Sequence, residues 1–143
     1  MMKSNLSKDD SSRIVDAIRA AEKTTSGEIR VHVENRCWGD PLKRAGKVFK
    51  KLKMHQTRQH NGILIYLALK THRFAILGDR GINEQVDPDF WENVLSEMRP
   101  LLQKDQLCES ICTGVARVGE TLRKYFPHEA DDKNELSDEI SLG

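Results

Sequence analysis

The stretch Ile63-Leu64-Ile65-Tyr66-Leu67-Ala68-Leu69-Lys70-Thr71-His72-Arg73-Phe74-Ala75-Ile76-Leu77-Gly78 decides the fold of this chain. Its first seven residues are apolar on both alternating faces. A continuous run of that length suits a central strand covered on two sides. Lys70-Thr71-His72 is a tight polar connection, and residues 74–77 return as the next strand of a hairpin. Gly78-Asp79-Arg80-Gly81 then reads as a loop.

Upstream, residues 28–34 alternate: Ile29, Val31 and Val33 on one face, Arg30, His32 and Glu34 on the other. That is a strand with one polar-rich face. Between the two strands, Pro41 opens a helix to about residue 53, with Ala45, Val48, Phe49 and Leu52 as its apolar stripe. A helix of similar periodicity, through Ile14 and Ile18, occupies residues 7–24 and ends at Gly27. Downstream, Asp87-Pro88 opens a helix whose buried face is Trp91, Val94, Leu95, Met98, Leu101 and Leu102, with Pro100 shortening or kinking its last turn. A last helix covers residues 105–125 and is closed by Pro127.

The order is therefore α-β-α-β-β-α-α, an α/β fold. A helical crossover makes the first two strands parallel, and the hairpin adds an antiparallel one. The expected architecture is a small mixed β-sheet sandwiched between helices, α/β/α, in one domain over residues 1–127. Strand direction makes a further prediction. Gly27-Glu28, Asn61-Gly62 and Gly78-Asp79-Arg80-Gly81 should gather at one end of the sheet. Arg36, Trp38 and Asp40 should sit at the other, beside the hairpin turn.

The 143 residues are 38% hydrophobic and 31% charged, too apolar for a wholly disordered chain. The net charge of +1 hides an asymmetry. Residues 41–60 carry seven Lys or Arg and no acid, while residues 128–143 carry six acids and one lysine. The second stretch, lacking aromatics and periodicity, reads as an acidic, disordered tail. It could also mask the basic helix. Three cysteines, Cys37, Cys108 and Cys112, form no disulfide framework. With no apolar signal segment at the start, they point to a reducing, cytoplasmic location. The longest apolar run is too short to span a bilayer. The basic stretch lacks stacking aromatics or a recognised module, which argues against a nucleic-acid partner.

The first candidate site is the Gly78-Asp79-Arg80-Gly81 loop. Asp79, with Glu28 and Glu84, could bind Ca²⁺ or Mg²⁺ through oxygen ligands. Arg80 and the amides of Gly78 and Gly81 could hold a phosphate, oriented by Asn61 beside Gly62. The competing reading is a turn in which glycine gives backbone freedom and Asp79 caps a helix. The second candidate is Arg36-Cys37-Trp38-Gly39-Asp40, with Cys37 a nucleophile only if a base such as His32 lowers its pKa. Its bland alternative has Trp38 packed over the sheet edge and Asp40 capping a helix. Cys108 and Cys112 share a helix face, but two ligands make no zinc site. His55 and His60 flank the second strand's approach within the basic stretch.

Several segments resemble the TPM domain family, named for a thylakoid lumen protein, a photosystem repair protein and a nematode membrane protein. They are Ile18-Arg19-Ala20-Ala21-Glu22, Thr25-Ser26-Gly27-Glu28-Ile29, Asn61-Gly62-Ile63-Leu64-Ile65-Tyr66, residues 73–82, Phe90-Trp91, Gly114, Gly119 and Tyr125-Phe126-Pro127. The resemblance implies an α/β/α sandwich. A plant relative has been linked to weak acid phosphatase activity, which makes a divalent-metal-assisted phosphatase one expectation. The other is a small binding domain for a protein or a small anion, without turnover. Many bacterial relatives are exported or membrane-anchored, so this chain resembles a shorter cytoplasmic branch. Where many relatives carry Asp or Arg before Asn-Gly, this chain has His60.

Overall fold

The structure, a computed structural model, describes residues 6–128 and 136–143. Helix α1 spans Lys8–Glu22, with the Ser7 hydroxyl accepting from the Asp10 amide at its start. Strand β1 is Glu28–Glu34, and helix α2, Pro41–Lys51, is capped by Asp40 through the Leu42 amide. A single 3-10 turn, Met54–Gln56, leads to strand β2, Gly62–Ala68, and strand β3 is Arg73–Gly78. A one-turn helix α3, Arg80–Asn83, precedes helices α4, Phe90–Gln103, and α5, Leu107–Tyr125. Strand β4 is Ser141–Leu142.

The sheet order is β3-β2-β1-β4. β1 and β2 are parallel in the register Glu28↔Gly62 to Glu34↔Ala68, and β2 pairs with β3 antiparallel. Alternation divides the side chains between two cores. Ile29, Val31, Val33, Ile63, Ile65 and Leu67 face α1, α4 and α5. Leu64, Tyr66, Ala68 and Ala75 face α2 through Ala45, Val48 and Phe49. This is the α/β/α arrangement expected from the element order, with the middle strand buried throughout.

Three local readings change. The 78–81 loop is partly helical, because Asp79 caps α3 with its own side chain on the Arg80 amide (2.8 Å). α4 starts at Phe90 rather than at residue 87, after a turn closed by Phe90 N to Asp87 O (3.0 Å), and it runs on through Pro100 to Gln103. Residues 136–143 are not a loose tail. They lie along the outer edge of β1, where His32 pairs with Ser141 and Val33 with Leu142. A strand edge supplies backbone partners, and Arg19 and Arg30 supply charge partners, so a polar segment can be held there without a core of its own. Residues 129–135, with four of the tail's acids, lie outside the described residues.

Candidate functional site

The corners predicted from strand direction do meet. Glu28 N donates to Asn61 O (3.4 Å), Asp79 N to Gly62 O (2.9 Å) and Gly81 N to His60 O (2.8 Å). At the opposite end Cys37 N donates to the Thr71 hydroxyl (2.9 Å), which places the 36–40 segment beside the hairpin turn.

Within the first corner, Asp79, His60 and Arg80 form a chain. The Asp79 carboxylate accepts from His60 Nδ1 (3.3 Å), and His60 Nε2 lies 2.9 Å from Arg80 Nη2. A neutral imidazole fits this pattern, donating from Nδ1 and accepting at Nε2. Arg80 is exposed, and Asp79 and His60 are half-buried. Asn61 is buried one residue away. Its Nδ2 reaches the Ser26 hydroxyl (3.3 Å), while its Oδ1 has no partner among the described residues. Turning the amide over would exchange the two atoms and still leave one unmatched.

The glycines serve close packing here. A Cβ on Gly81 would stand 2.5 Å from the carbonyl oxygens of Gln59 and His60, and one on Gly78 would stand 2.4 Å from the Trp91 ring. The amides of Asp79, Arg80 and Gly81 are all donated inside the protein. They are not the free cradle for a phosphate that the sequence suggested. Of that phosphate reading the Arg80 side chain remains, and the structure sets His60 beside it.

The expected cation set does not close. Glu28 is 2% exposed and its Oε1 accepts the Leu136 amide (2.8 Å). Asp79 follows β3, with β2 between it and β1, so roughly 10 Å separates their backbones. Met54 lies over Gly62 in that interval, with its Cε 3.5 Å from the position of a Gly62 Cβ. Glu84 is exposed beyond the far end of α3. Among the described residues no group of three His, Cys, Asp or Glu could hold a metal ion.

A second polar region, which the sequence did not single out, occupies the outward row of β1. Glu34 is 7% exposed. Its carboxylate accepts from Arg44 Nε and Nη2 (both 2.9 Å), from His32 Nε2 (3.0 Å) and from the Tyr66 hydroxyl. Burial pushes this carboxyl up, but the hydrogen bonds from Arg44, Tyr66 and His32 outweigh it and hold it at about 2. The same contact, with burial, pushes the Tyr66 hydroxyl well above its ordinary value. His32 stacks on Tyr66 at 5.8 Å, and its Nδ1 meets the Ser141 hydroxyl at 2.9 Å. Hydroxyl, imidazole and carboxylate thus line up in the order of a hydrolase triad. A carboxylate already saturated by Arg44 and Tyr66 is, however, a clamp rather than a base-activating partner.

At the other end of the row, Glu22 Oε2 accepts the Ile29 amide (2.8 Å). Burial first, then the hydrogen bond with Asp138, raises the Glu22 carboxyl to about 10, against the lowering effect of that amide. Alternation along 28–34 was legible as a polar face. Its burial became visible only with the arm 136–143 and α2 in place.

The remaining candidates separate. Cys37 and His32 do not meet: the Cys37 thiol points to Gly39 O (3.6 Å), and His32 is held by Glu34 and Ser141. Trp38 does not pack over the sheet edge; it is 79% exposed. Burial raises the Cys108 thiol to about 11 and also raises Cys112, which makes both poor nucleophiles.

A four-stranded mixed sheet with α2 on one face and α1, α4 and α5 on the other defines a small α/β/α domain. The chain belongs to the TPM domain family, whose model matches residues 2–121. It is similar to the BA42 protein from the psychrophilic bacterium Bizionia argentinensis, solved by NMR, at 41% identity and a TM-score of 0.90, covering 100% of this chain and 99% of that one. The N-terminal domain of the cg2496 protein from Corynebacterium glutamicum shares the fold at 16% identity and a TM-score of 0.64, covering 82% of this chain and 74% of that one. Among curated proteins nothing matches. No helix among the described residues is long and apolar enough to cross a membrane.

Proposed function

We propose that the chain is a small binding domain that takes a phosphate-like anion at the His60–Asp79–Arg80 corner and does not turn it over. The observation that carries this reading is the 2.9 Å contact of Arg80 Nη2 with His60 Nε2. It puts a permanently charged fork of donors beside a protonatable ring, at the end of a stretch with seven cationic residues and no acid. Asp79 orients the ring from the other side. An arriving anion would find Arg80 exposed, with its guanidinium steadied by the His60 ring.

A weak metal-assisted acid phosphatase is the second reading. One observation favours it: the unmatched amide of buried Asn61, an oxygen that a cation could use. The carboxylates as placed do not complete such a site, so no catalytic step is assigned.

Inorganic phosphate, followed by thermal shift, separates these readings. A ligand at 100 times its Kd stabilises the folded state by about 2.7 kcal/mol. Wild type should gain thermal stability with phosphate and Arg80→Ala should not. Equal gains in both would sink the binding reading. A phosphomonoester assayed with and without Ca²⁺ or Mg²⁺ should show no turnover that Asp79→Ala removes. Cation-dependent hydrolysis lost in that variant would install the enzyme reading instead.

A further inference from the structure

The arm formed by residues 136–143 is held to β1 like a bound peptide rather than like a core strand. Only two of its residues pair with the seven of β1. Ile140 and Leu136 pack at the margins of the two cores, and the rest is attached by polar contacts. Arg19 Nε approaches Asp138 at 3.4 Å, Arg30 Nη2 donates to Glu139 O (3.2 Å), and the Leu136 amide is donated to Glu28. Leu142 is 77% exposed.

An open cleft of about 510 Å³ lies between α1 and the arm, with Ser11 and Glu139 as well as Leu6, Val15, Val33, Ile140 and Leu142 on its walls. On the polar side, Arg30 Nε is buried without a hydrogen-bond partner among the described residues. Edge pairing, two arginines set against the arm's acidic segment, an open cleft with Val15 and Val33 on its wall and an unmet donor therefore coincide on one groove.

We propose that the β1 edge is a docking groove for an extended, acidic peptide of a partner protein, and that residues 136–143 occupy it in cis until such a peptide displaces them. Strand addition supplies the backbone pairing, and alternate side chains supply the choice. The preferred peptide carries acids opposite Arg19 and Arg30. It carries larger apolar residues than Ile140 and Leu142, which fill the cleft against Val15 and Val33. A tethered arm competes with any peptide added in trans through its effective concentration.

The test uses the full chain. A Cβ on Gly143 would fall 2.5 Å from Glu34 Oε1 and 2.7 Å from His32 Nε2, so Gly143→Val should push the arm off by crowding that pair. A second variant, Asp138→Arg with Glu139→Arg, should release it by charge. Amide NMR of Ser141 and Leu142 reports whether either succeeds. The probe is a fluorescein-labelled peptide of residues 137–143 with Ile140 and Leu142 both changed to Phe. A version with its two acids changed to Lys is the control.

The released variants should bind the acidic probe about tenfold or more tighter than wild type does, since the tether no longer competes. High salt or Arg19→Glu should weaken that binding, and the basic control should not bind. The proposal is overturned if a released variant ignores the acidic probe, if the basic control binds equally, or if neither variant releases the arm. It is also overturned if light scattering shows the freed arm pairing with a second copy that the probe cannot disperse.

Discussion

The corner at residues 59–62 and 78–81 and the outward row of β1 are both polar, yet they solve opposite problems. At the corner the backbone satisfies itself, with Asp79, Gly81 and Glu28 amides each donated to a neighbouring carbonyl. Its charged side chains are left at the rim. Along β1, Glu28, His32 and Glu34 are buried, and side chains satisfy one another. A motif rich in Gly and Asp thus marks where the chain turns, while an ordinary alternation of charges marks where energy is stored. Backbone turns tolerate loss of their side chains. A buried ion network does not, because each partner removed leaves a charge or dipole unpaired.

The largest test of that contrast is Glu34→Ala. It leaves the buried Tyr66 hydroxyl and His32 ring without their acceptor, and a buried donor left unsatisfied costs about 1–3 kcal/mol, while the half-exposed Arg44 can be rehydrated. Chemical denaturation should read this directly, and a loss under 1 kcal/mol would mean that water replaces the carboxylate. The pH dependence has a fixed sign. Glu34 is held at about 2 in the folded protein, below its ordinary 4.5. Its contribution is complete above about pH 4.5 and disappears as pH falls through about 2. A shift of that size corresponds to about 3 kcal/mol, and the Ala variant should lack this limb of the acid-unfolding curve.

Next comes the corner's backbone. Gly81→Ala drives a Cβ against two carbonyl oxygens of the preceding segment, neither of which can rotate away. The expected cost is about 2 kcal/mol, in the range of overpacked cores. Gly114→Ala makes the useful comparison, since its Cβ meets only the flexible Met98 side chain at 2.6 Å and should cost less. If the two variants lost the same stability, backbone packing would not be the reason for Gly81.

How far the sequence could reach follows the same division. The apolar run at Ile63–Leu69, the crossover helix and the hairpin gave the sheet's directions, and from these the meeting of Asn61, Gly62 and Gly78 with Glu28 follows by geometry. Local signals such as Asp40 before Pro41, or Asp79 before a turn, gave caps. The burial of His32 and Glu34 was not legible, because alternation only says that two faces differ. It was decided by Arg44 on α2 and by an arm more than a hundred residues along the chain. The arm itself has the composition of a disordered segment. Its order comes from what β1 offers, and no propensity in its own residues records that. Met54, which packs over Gly62, was invisible for a similar reason, since nothing local fixes where a single methionine will lie.

Glu34 on β1 and Glu22 on α1 should respond to pH in opposite directions. Glu22 is raised to about 10, so the folded protein holds a proton there that the unfolded chain releases. Its stabilisation is complete below about pH 4.5 and is lost progressively as pH rises toward 10. The slope is bounded by about 1.4 kcal/mol per pH unit, and the partial exposure of Glu22 reduces it. Glu22→Gln keeps a neutral side chain beside Asp138 and the Ile29 amide, and should flatten that decline. At pH 8 the variant should be about 1 kcal/mol more stable than wild type. An unchanged slope would mean that Glu22 is ionised and that Asp138 does not share its proton.

The smallest effect belongs to Asp79→Asn, and its smallness is the point. The amide can still cap α3 through its oxygen, as asparagine does at helix starts. What it loses is the charge that accepts from His60 Nδ1 at 3.3 Å, a long contact between partly buried groups near the rim. Such a pair contributes about 0–1 kcal/mol. Asp79→Asn should therefore unfold within about 1 kcal/mol of wild type while changing how firmly His60 is oriented, which the His60 ring resonances would report. With the ring freed, phosphate binding at Arg80 should weaken but persist. A loss of stability as large as that of Glu34→Ala would place Asp79 in a buried network of its own, and the distinction between rim and row would then fail.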